Sequence, residues 1–415
     1  MKVVNIIQRY HPAIGGSEAW CQGMCRYLAR QGWDTTVLTM NVFNEDEYWR
    51  DPPLENCIVR LGKFEYDAGV LVKRYRRNKI HPFVYRFFKE VLDARFNLYF
   101  YGPHSLPLYA QLFRQLLSAD IVHLHTIPYP HNFFGYFIAR LLGKKIAITP
   151  HFHPGHSFYE RNSNYWLLRH CDAVFAVSDF EKDYFVKQGL RPEKIFVAYN
   201  AVDPNDFKPQ GFDEFRLRFY ERYKIREDSR IIVFVGRKID YKGLDTLIEA
   251  VRQIVRDKDV RLFTIGPSFP WFEEFYAKLS AEDKEKIIDL GIISHREKVN
   301  LLHLADCLVL PSKYEAFGIV FLEAWMCGKP VIGANTGAVS ELIKDAGLVC
   351  SYGNVEELKD RIELILFDAK RAEAMAAKGK QKVLEHYTWD KVGATILKAY
   401  GSLFEGNGRL RHFHF

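Results

Sequence analysis

Leu308-Val309-Leu310-Pro311-Ser312-Lys313-Tyr314-Glu315-Ala316-Phe317-Gly318-Ile319-Val320-Phe321-Leu322-Glu323-Ala324 decides how this chain is read. Its first residues are a short apolar run, as in a strand buried on both faces of a parallel sheet. Pro311 and Ser312 end that strand. From Phe317 the pattern predicts a helix to Met326, stopped by Gly328-Lys329-Pro330. Glu315 then lies on the loop at the carboxyl end of a strand, and the backbone N–H groups of Phe317, Gly318 and Ile319 open the helix. In open α/β sheets ligands bind at such junctions. Helix-opening amides suit phosphate, and a carboxylate beside them suits sugar hydroxyls, because it accepts from two at once. A lone loop glutamate is usually just solvated. Glu323, however, falls inside Ile319-Val320-Phe321-Leu322 and Ala324-Trp325-Met326, where an idle carboxylate is costly.

A second junction lies upstream. Arg230-Ile231-Ile232-Val233-Phe234-Val235 reads as a buried strand running into Gly236-Arg237-Lys238-Ile239-Asp240-Tyr241-Lys242-Gly243, with a helix from Leu244. Arg237 and Lys242 place two cations at one helix N-terminus, a pocket for a diphosphate. Arg261–Gly266 and Val331-Ile332-Gly333 continue the alternation, Ile292-Ile293-Ser294-His295 follows a further strand, and helices are expected over 355–367 and 371–386.

The amino-terminal half repeats the plan. Lys2–Gln8 is a strand, His11-Pro12-Ala13-Ile14-Gly15-Gly16-Ser17 a loop with Ser17 as expected N-cap, and a helix buries Ala19, Trp20, Met24, Tyr27 and Leu28 before Gly32. The glycine pair permits close backbone approach. It is not G-x-G-x-x-G, so a dehydrogenase fingerprint is absent. Asp120-Ile121-Val122-His123-Leu124-His125 is a strand with two histidines on one face. Lys145–Thr149 ends in Pro150-His151-Phe152-His153-Pro154, and a histidine just past a strand's carboxyl end is placed for chemistry. Residues 73–101 combine Lys73, Arg74, Arg76, Arg77, Lys79, Arg86, Lys89 and Arg95 with interleaved aromatics. They read either as a basic amphipathic helix lying in a membrane interface or as a helix packed on its own domain. Pro204–Gly211 is the linker candidate, which gives domains 1–203 and 204–387 and a closing segment 388–415.

With 415 residues and 48% hydrophobic content, the chain can bury two cores. A net charge of +7 suits anionic substrates or a membrane surface and is too diffuse for nucleic acid. No run has transmembrane length, and Met1-Lys2-Val3-Val4 enters a strand rather than a signal peptide. Seven scattered cysteines suggest core residues and a cytoplasmic setting. No metal motif stands at a strand end; Asp257-Lys258-Asp259 reads as a solvated turn.

Glu315-x7-Glu323 together with Gly236-Arg237-x4-Lys242-Gly243 resembles the signature of the retaining family 4 (group 1) glycosyltransferases, and the likeness runs from Gly15-Gly16 to Trp389. Asn200-Ala201-Val202-Asp203 departs from that family's Asn-Gly-Val-Asp at Ala201. The resemblance implies a GT-B fold: two Rossmann-like α/β domains facing across a cleft, with a carboxyl-terminal helix crossing back to the first. It implies that Glu315 contacts the donor sugar, that Phe317, Gly318 and Ile319 meet sugar or phosphate, that Glu323 binds the ribose, and that backbone near Ile293 meets the base. Arg237 and Lys242 are then the diphosphate cations, and Gly16 faces the diphosphate. Gly15, His125 and His153 fall on the acceptor side. His151 is the best match to the active-site histidine, with His153 second.

The expected activity is transfer of a sugar from a UDP- or GDP-linked donor, without metal or other cofactor. The acceptor is a hydroxyl on a saccharide, a lipid-linked saccharide or a small molecule. Nucleic acid is not an expected partner. Location is expected in the cytoplasm or at the inner face of the membrane, through 73–101. A nucleotide-sugar 2-epimerase and a non-catalytic sugar-nucleotide sensor are the alternatives.

Overall fold

The computed structural model describes residues 1–43, 63–78 and 102–405. They form two compact units. One comprises residues 1–200 with the carboxyl-terminal helix, the other Ala201–Thr388.

The first unit is built on an eight-stranded sheet. Its strands are β1 (Lys2–Ile6), β2 (Asp34–Met40), β3 (Phe64–Asp67), β4 (Val70–Tyr75), β5 (Ile121–His125), β6 (Lys145–Thr149), β7 (Ala173–Ala176) and β8 (Ile195–Val197). The order is β3-β4-β2-β1-β5-β6-β7-β8. Only β3 runs antiparallel; the rest pair parallel, with β1 between β2 and β5. The inner strands are buried along almost their whole length, as sheets covered on both faces require. Helices Gly16–Arg30, Leu106–Leu116, Pro130–Leu141, Asn162–His170 and Asp179–Lys187 cover this sheet. Helix Trp389–Ser402 joins them: Tyr400 is fully buried and its hydroxyl lies 2.6 Å from His123 Nδ1 on β5.

The second unit is a six-stranded parallel sheet: β9 (Arg230–Val235), β10 (Val260–Ile265), β11 (Ile287–Gly291), β12 (Cys307–Leu310), β13 (Val331–Ala334) and β14 (Leu348–Cys350). The order is β11-β10-β9-β12-β13-β14. Both sheets therefore reverse direction once, between β1 and β5 and between β9 and β12. These are the topological switch points at which ligands bind in such sheets.

Three expectations need correction. The helix after the glycine pair begins at Gly16 with Gly15 in the cap position, so Ser17 lies inside the first turn and its hydroxyl donates to Glu18 instead (2.8 Å). The helix after β12 starts at Ile319, because Gly318 takes a left-handed conformation (φ 90) and breaks the regular backbone before it. Lys73 and Arg74 belong to β4, where residues 70–75 alternate between buried and half-buried as a strand does; the rest of the basic aromatic segment, from 79 to 101, lies outside the described residues. Within the linker candidate Pro204–Gly211, Pro204–Phe207 forms a 3₁₀ turn with Phe207 buried. Among the described residues no helix is long and apolar enough to cross a membrane.

Candidate active site

In the second unit the loops after β9 and β12 are stitched together by backbone. Gly243 is left-handed (φ 68) and a Cβ there would stand 2.3 Å from the Pro311 carbonyl oxygen, so this position admits only glycine. The Lys313 amide donates to the Tyr241 carbonyl (2.8 Å), and the Tyr241 and Tyr314 rings meet edge-on at 5.7 Å. Thr336 Oγ1 donates to the Ser312 carbonyl (2.9 Å) and fixes the second loop from the β13 side.

This stitching brings Lys242, Glu315 and Arg237 together, residues that are 73 positions apart in the case of the first two. Lys242 Nζ forms an ion pair with Glu315 Oε1, and both side chains are about nine-tenths buried. Arg237 Nη2 donates to the Tyr241 hydroxyl (3.1 Å). Burial lowers the Lys242 pKa; Glu315 opposes this and the Arg237 charge reinforces it. Two cations and one carboxylate thus converge in a partly desolvated pocket. Gly318 carries the chain into the Ile319–Met326 helix, whose first amides have no intrahelical acceptor. Phe317 is buried edge-on to Tyr387 (5.4 Å) and anchors the turn.

Glu323 forms a separate pair. Lys298 Nζ lies 2.8 Å from each of its carboxylate oxygens. Lys298 comes from helix His295–Leu304, which is held by a capping box between Ser294 and Glu297. Ile293 immediately precedes that cap and is half-buried. Lys238, beside Arg237, has no exposed side chain. Its ammonium lies 2.6 Å from Asp289 and 2.5 Å from the Gly266 carbonyl, so it ties the ends of β9, β10 and β11 together. Neither Lys298 nor Lys238 stands out in the sequence; each is marked only by a partner distant in the chain.

In the first unit Gly15 and Gly16 follow β1. A Cβ on Gly15 would fall 2.1 Å from Glu18 Oε2, while Gly16 faces open space. Glu18 is buried and paired with Arg9 at 2.8 Å, and this pair keeps its carboxyl below the usual range against the penalty of burial. Sequence reasoning missed it. His151, two residues past β6, has a left-handed backbone (φ 49), an unusual conformation for a non-glycine residue. Its ring packs edge-on to Trp20 at 5.6 Å, its pKa is pushed down to about 4 by burial, and its Nε2 has no hydrogen-bond partner among the described residues. A neutral imidazole with an unused ring nitrogen at a strand's carboxyl end is equipped to bind a hydroxyl. His153 is turned elsewhere, against the Tyr159 ring (5.0 Å). His125 has no exposed surface. It stacks on His123 at 4.3 Å and contacts Asn5, so it is a core residue and not a lining one.

Comparison with known proteins adds to this geometry. The family described as Glycosyltransferase Family 4 matches residues 14–206, and that described as Glycosyl transferases group 1 matches residues 216–382. The N-acetyl-alpha-D-glucosaminyl L-malate synthase of Bacillus anthracis is 27% identical over 331 residues, covering 77% of this chain and 84% of that protein. The GDP-mannose:cellobiosyl-diphosphopolyprenol alpha-mannosyltransferase of Xanthomonas oryzae is 24% identical over 421 residues, covering 96% of each. Among solved structures, Anabaena Alr3699/HepE in complex with UDP and glucose has a TM-score of 0.73 at 18% identity, covering 97% of this chain and 100% of that one.

Proposed function

The chain belongs to the group 1, family 4 glycosyltransferases and has their GT-B fold, and from that premise we propose that it transfers a sugar, with retention, from a UDP- or GDP-linked donor to a hydroxyl acceptor. The observation that carries this reading is the convergence of Arg237, Lys242 and Glu315 at the switch point of the second sheet.

In the proposed reaction the bond between the anomeric carbon and the β-phosphate oxygen breaks, and a bond from the acceptor oxygen to that carbon forms on the same face. The acceptor proton passes to a β-phosphate oxygen, and the products are the glycoside and a nucleoside diphosphate. Negative charge grows on the diphosphate as the first bond breaks. Arg237, Lys242 and the amides opening the Ile319 helix are the groups assigned to stabilise it, in the role a metal plays elsewhere. Lys242 has three N–H bonds, so it can keep Glu315 and still donate to phosphate. Glu315 accepts from sugar hydroxyls and Glu323 from the ribose. At the first unit's switch point Gly15 is assigned to the acceptor side, Gly16 to the diphosphate and His151 to the reacting centre. The acceptor is a saccharide, a lipid-linked saccharide or a small molecule; the names of the Xanthomonas and Bacillus relatives illustrate the last two.

The test is nucleotide release from a panel of UDP- and GDP-sugars, in EDTA and without acceptor. Slow release from one donor is expected, since such sites hydrolyse their own donor. Binding without release or transfer to any acceptor would leave the sensor; conversion of the sugar with no acceptor would identify the epimerase.

A further prediction concerns Lys298. It holds both Glu323 oxygens, so it orients that carboxylate toward the ribose. Lys298→Met is expected to raise the donor KM by roughly tenfold, the loss of about one charge-assisted hydrogen bond, with kcat within about twofold. A fall in kcat at unchanged KM would overturn this assignment.

A further inference from the structure

Three neighbouring helices of the first unit share a feature that the transfer reaction does not use. Phe113 and Leu117, at the end of the Leu106–Leu116 helix, Phe134, Phe137 and Leu141 on Pro130–Leu141, and Trp166 on Asn162–His170 are between 37% and 73% exposed. The helices lie side by side. Tyr109 stacks on Phe134 at 4.1 Å, Lys144 Nζ reaches the Leu117 carbonyl at 2.6 Å, and the Phe137 and Trp166 rings are 5.9 Å apart. An exposed apolar face of this kind marks an interaction site.

The charge on this face selects the partner. None of the three helices contains an Asp or a Glu, and each ends in cations: Arg114, Arg140, and Arg169 with His170. Helices of a parallel sheet run against its strands, so these ends gather along the strands' amino-terminal edge, joined there by Lys144. Among the described residues, Asp172 pairs with Arg140 (3.1 Å) and Asp120 accepts from the Lys2 amide (2.7 Å). At the same edge a cavity of about 500 Å³ is lined by Lys2, Lys73 and Arg114, with Gln111, Gln115 and Ser118 as hydrogen-bonding walls. Among the described residues Lys2 is matched there by Asp34 (3.1 Å) and Lys73 donates to Gln115 (2.6 Å), so three cations face one carboxylate. Burial and then the charges of Lys2 and Arg114 lower the Lys73 pKa, as expected where cations crowd without enough counter-charge.

We propose that this face docks on an anionic phospholipid bilayer. The apolar side chains enter the boundary between headgroups and acyl chains, the cationic edge lies among the headgroups, and the cavity holds a headgroup phosphate. Two signals, apolar and electrostatic, are what stable peripheral binding needs. A second copy of the chain is the poorer occupant, since two such faces would oppose like charges.

The test is flotation of the full chain with vesicles of phosphatidylcholine, with and without phosphatidylglycerol. Binding is expected only to the anionic vesicles and is expected to weaken several-fold at high salt, where charge attraction is screened. The double variant Leu117→Ser with Leu141→Ser alters two exposed positions. It is expected to weaken vesicle affinity roughly a hundredfold, by the loss of about two buried apolar side chains, with Tm and nucleotide release unchanged. The proposal is overturned by failure to bind anionic vesicles, by equal binding of the variant, by a large loss of Tm in the variant (an internal contact), or by a dimer in size-exclusion chromatography that the variant dissolves.

Discussion

Arg237→Ala is expected to lower kcat/KM for transfer by about 10²–10³-fold, roughly 3–4 kcal/mol of transition-state stabilisation, the range for removing one preorganised charge-stabilising donor. Its fold should persist. The Arg237 side chain is half-exposed and donates to the Tyr241 hydroxyl, and the loop it stands on is held independently by Gly243 and by the bond from the Lys313 amide to the Tyr241 carbonyl. A change in Tm of no more than a few degrees is therefore expected. Lys242→Met makes the contrast. Lys242 is buried against Glu315, so removing it strands a buried carboxylate and costs stability as well as rate. Single-turnover kinetics with thermal denaturation of both variants separates the two effects. Near-normal turnover by a folded Arg237→Ala would remove Arg237 from the chemistry and, with it, the main support for a donor diphosphate at this junction.

What the sequence revealed of the site depended on whether a function is written in contiguous residues. Glu315 and Arg237 sit in strand–loop–helix patterns whose apolar runs and glycines can be read locally, and the loops lie where those patterns place them. Lys298, Lys238 and Glu18 owe their meaning to partners brought by the fold: Glu323, Asp289 and Arg9. A lysine on a helix of mixed polarity gives no such sign. His125 failed for a related reason. Period-two reasoning puts His123 and His125 on one face of a strand but cannot say whether that face meets solvent or another layer. Here helices Gly16–Arg30 and Trp389–Ser402 bring Trp20 and Tyr400 against the two rings. One missed element did carry a signal. Ala68 and Gly69 both have positive φ between the antiparallel strands β3 and β4, a two-residue hairpin turn that Asp67-Ala68-Gly69 between alternating runs could have announced.

Those buried rings lead to the second large effect, a loss of stability of the first unit in mild acid. Burial pushes the pKa of His123 down to about 3 and those of His131 and His151 to about 4, from an ordinary 6.5; burial, joined by the charges of His123, His151 and His131, lowers that of His125 as well. The folded chain keeps these rings neutral while the unfolded chain protonates them below pH 6.5. Stability is therefore full above 6.5 and falls with pH until the folded pKa values are reached, by about 1.4 kcal/mol per pH unit for each ring. Glu181 works the other way. Its carboxyl is raised to about 8 by burial, so the folded state holds a proton that the unfolded state releases above 4.5, and its contribution grows as pH falls through 8. It accepts from the Phe152 (2.8 Å) and Val177 (2.5 Å) amides, which favour the charged form, so it offsets at most about one histidine. Between pH 6.5 and pH 5 the net loss is roughly 4 kcal/mol, a large part of the roughly 5–15 kcal/mol that holds a typical protein folded. Urea unfolding at pH 7, 6 and 5 should show the midpoint falling steeply. His123→Asn removes one titrating ring and its contacts to Tyr400 and Thr149, so it should be less stable than the parent at pH 7 yet lose less on acidification. Equal midpoints at pH 7 and 5 in the parent would mean that these rings, His151 among them, take up protons within the folded state.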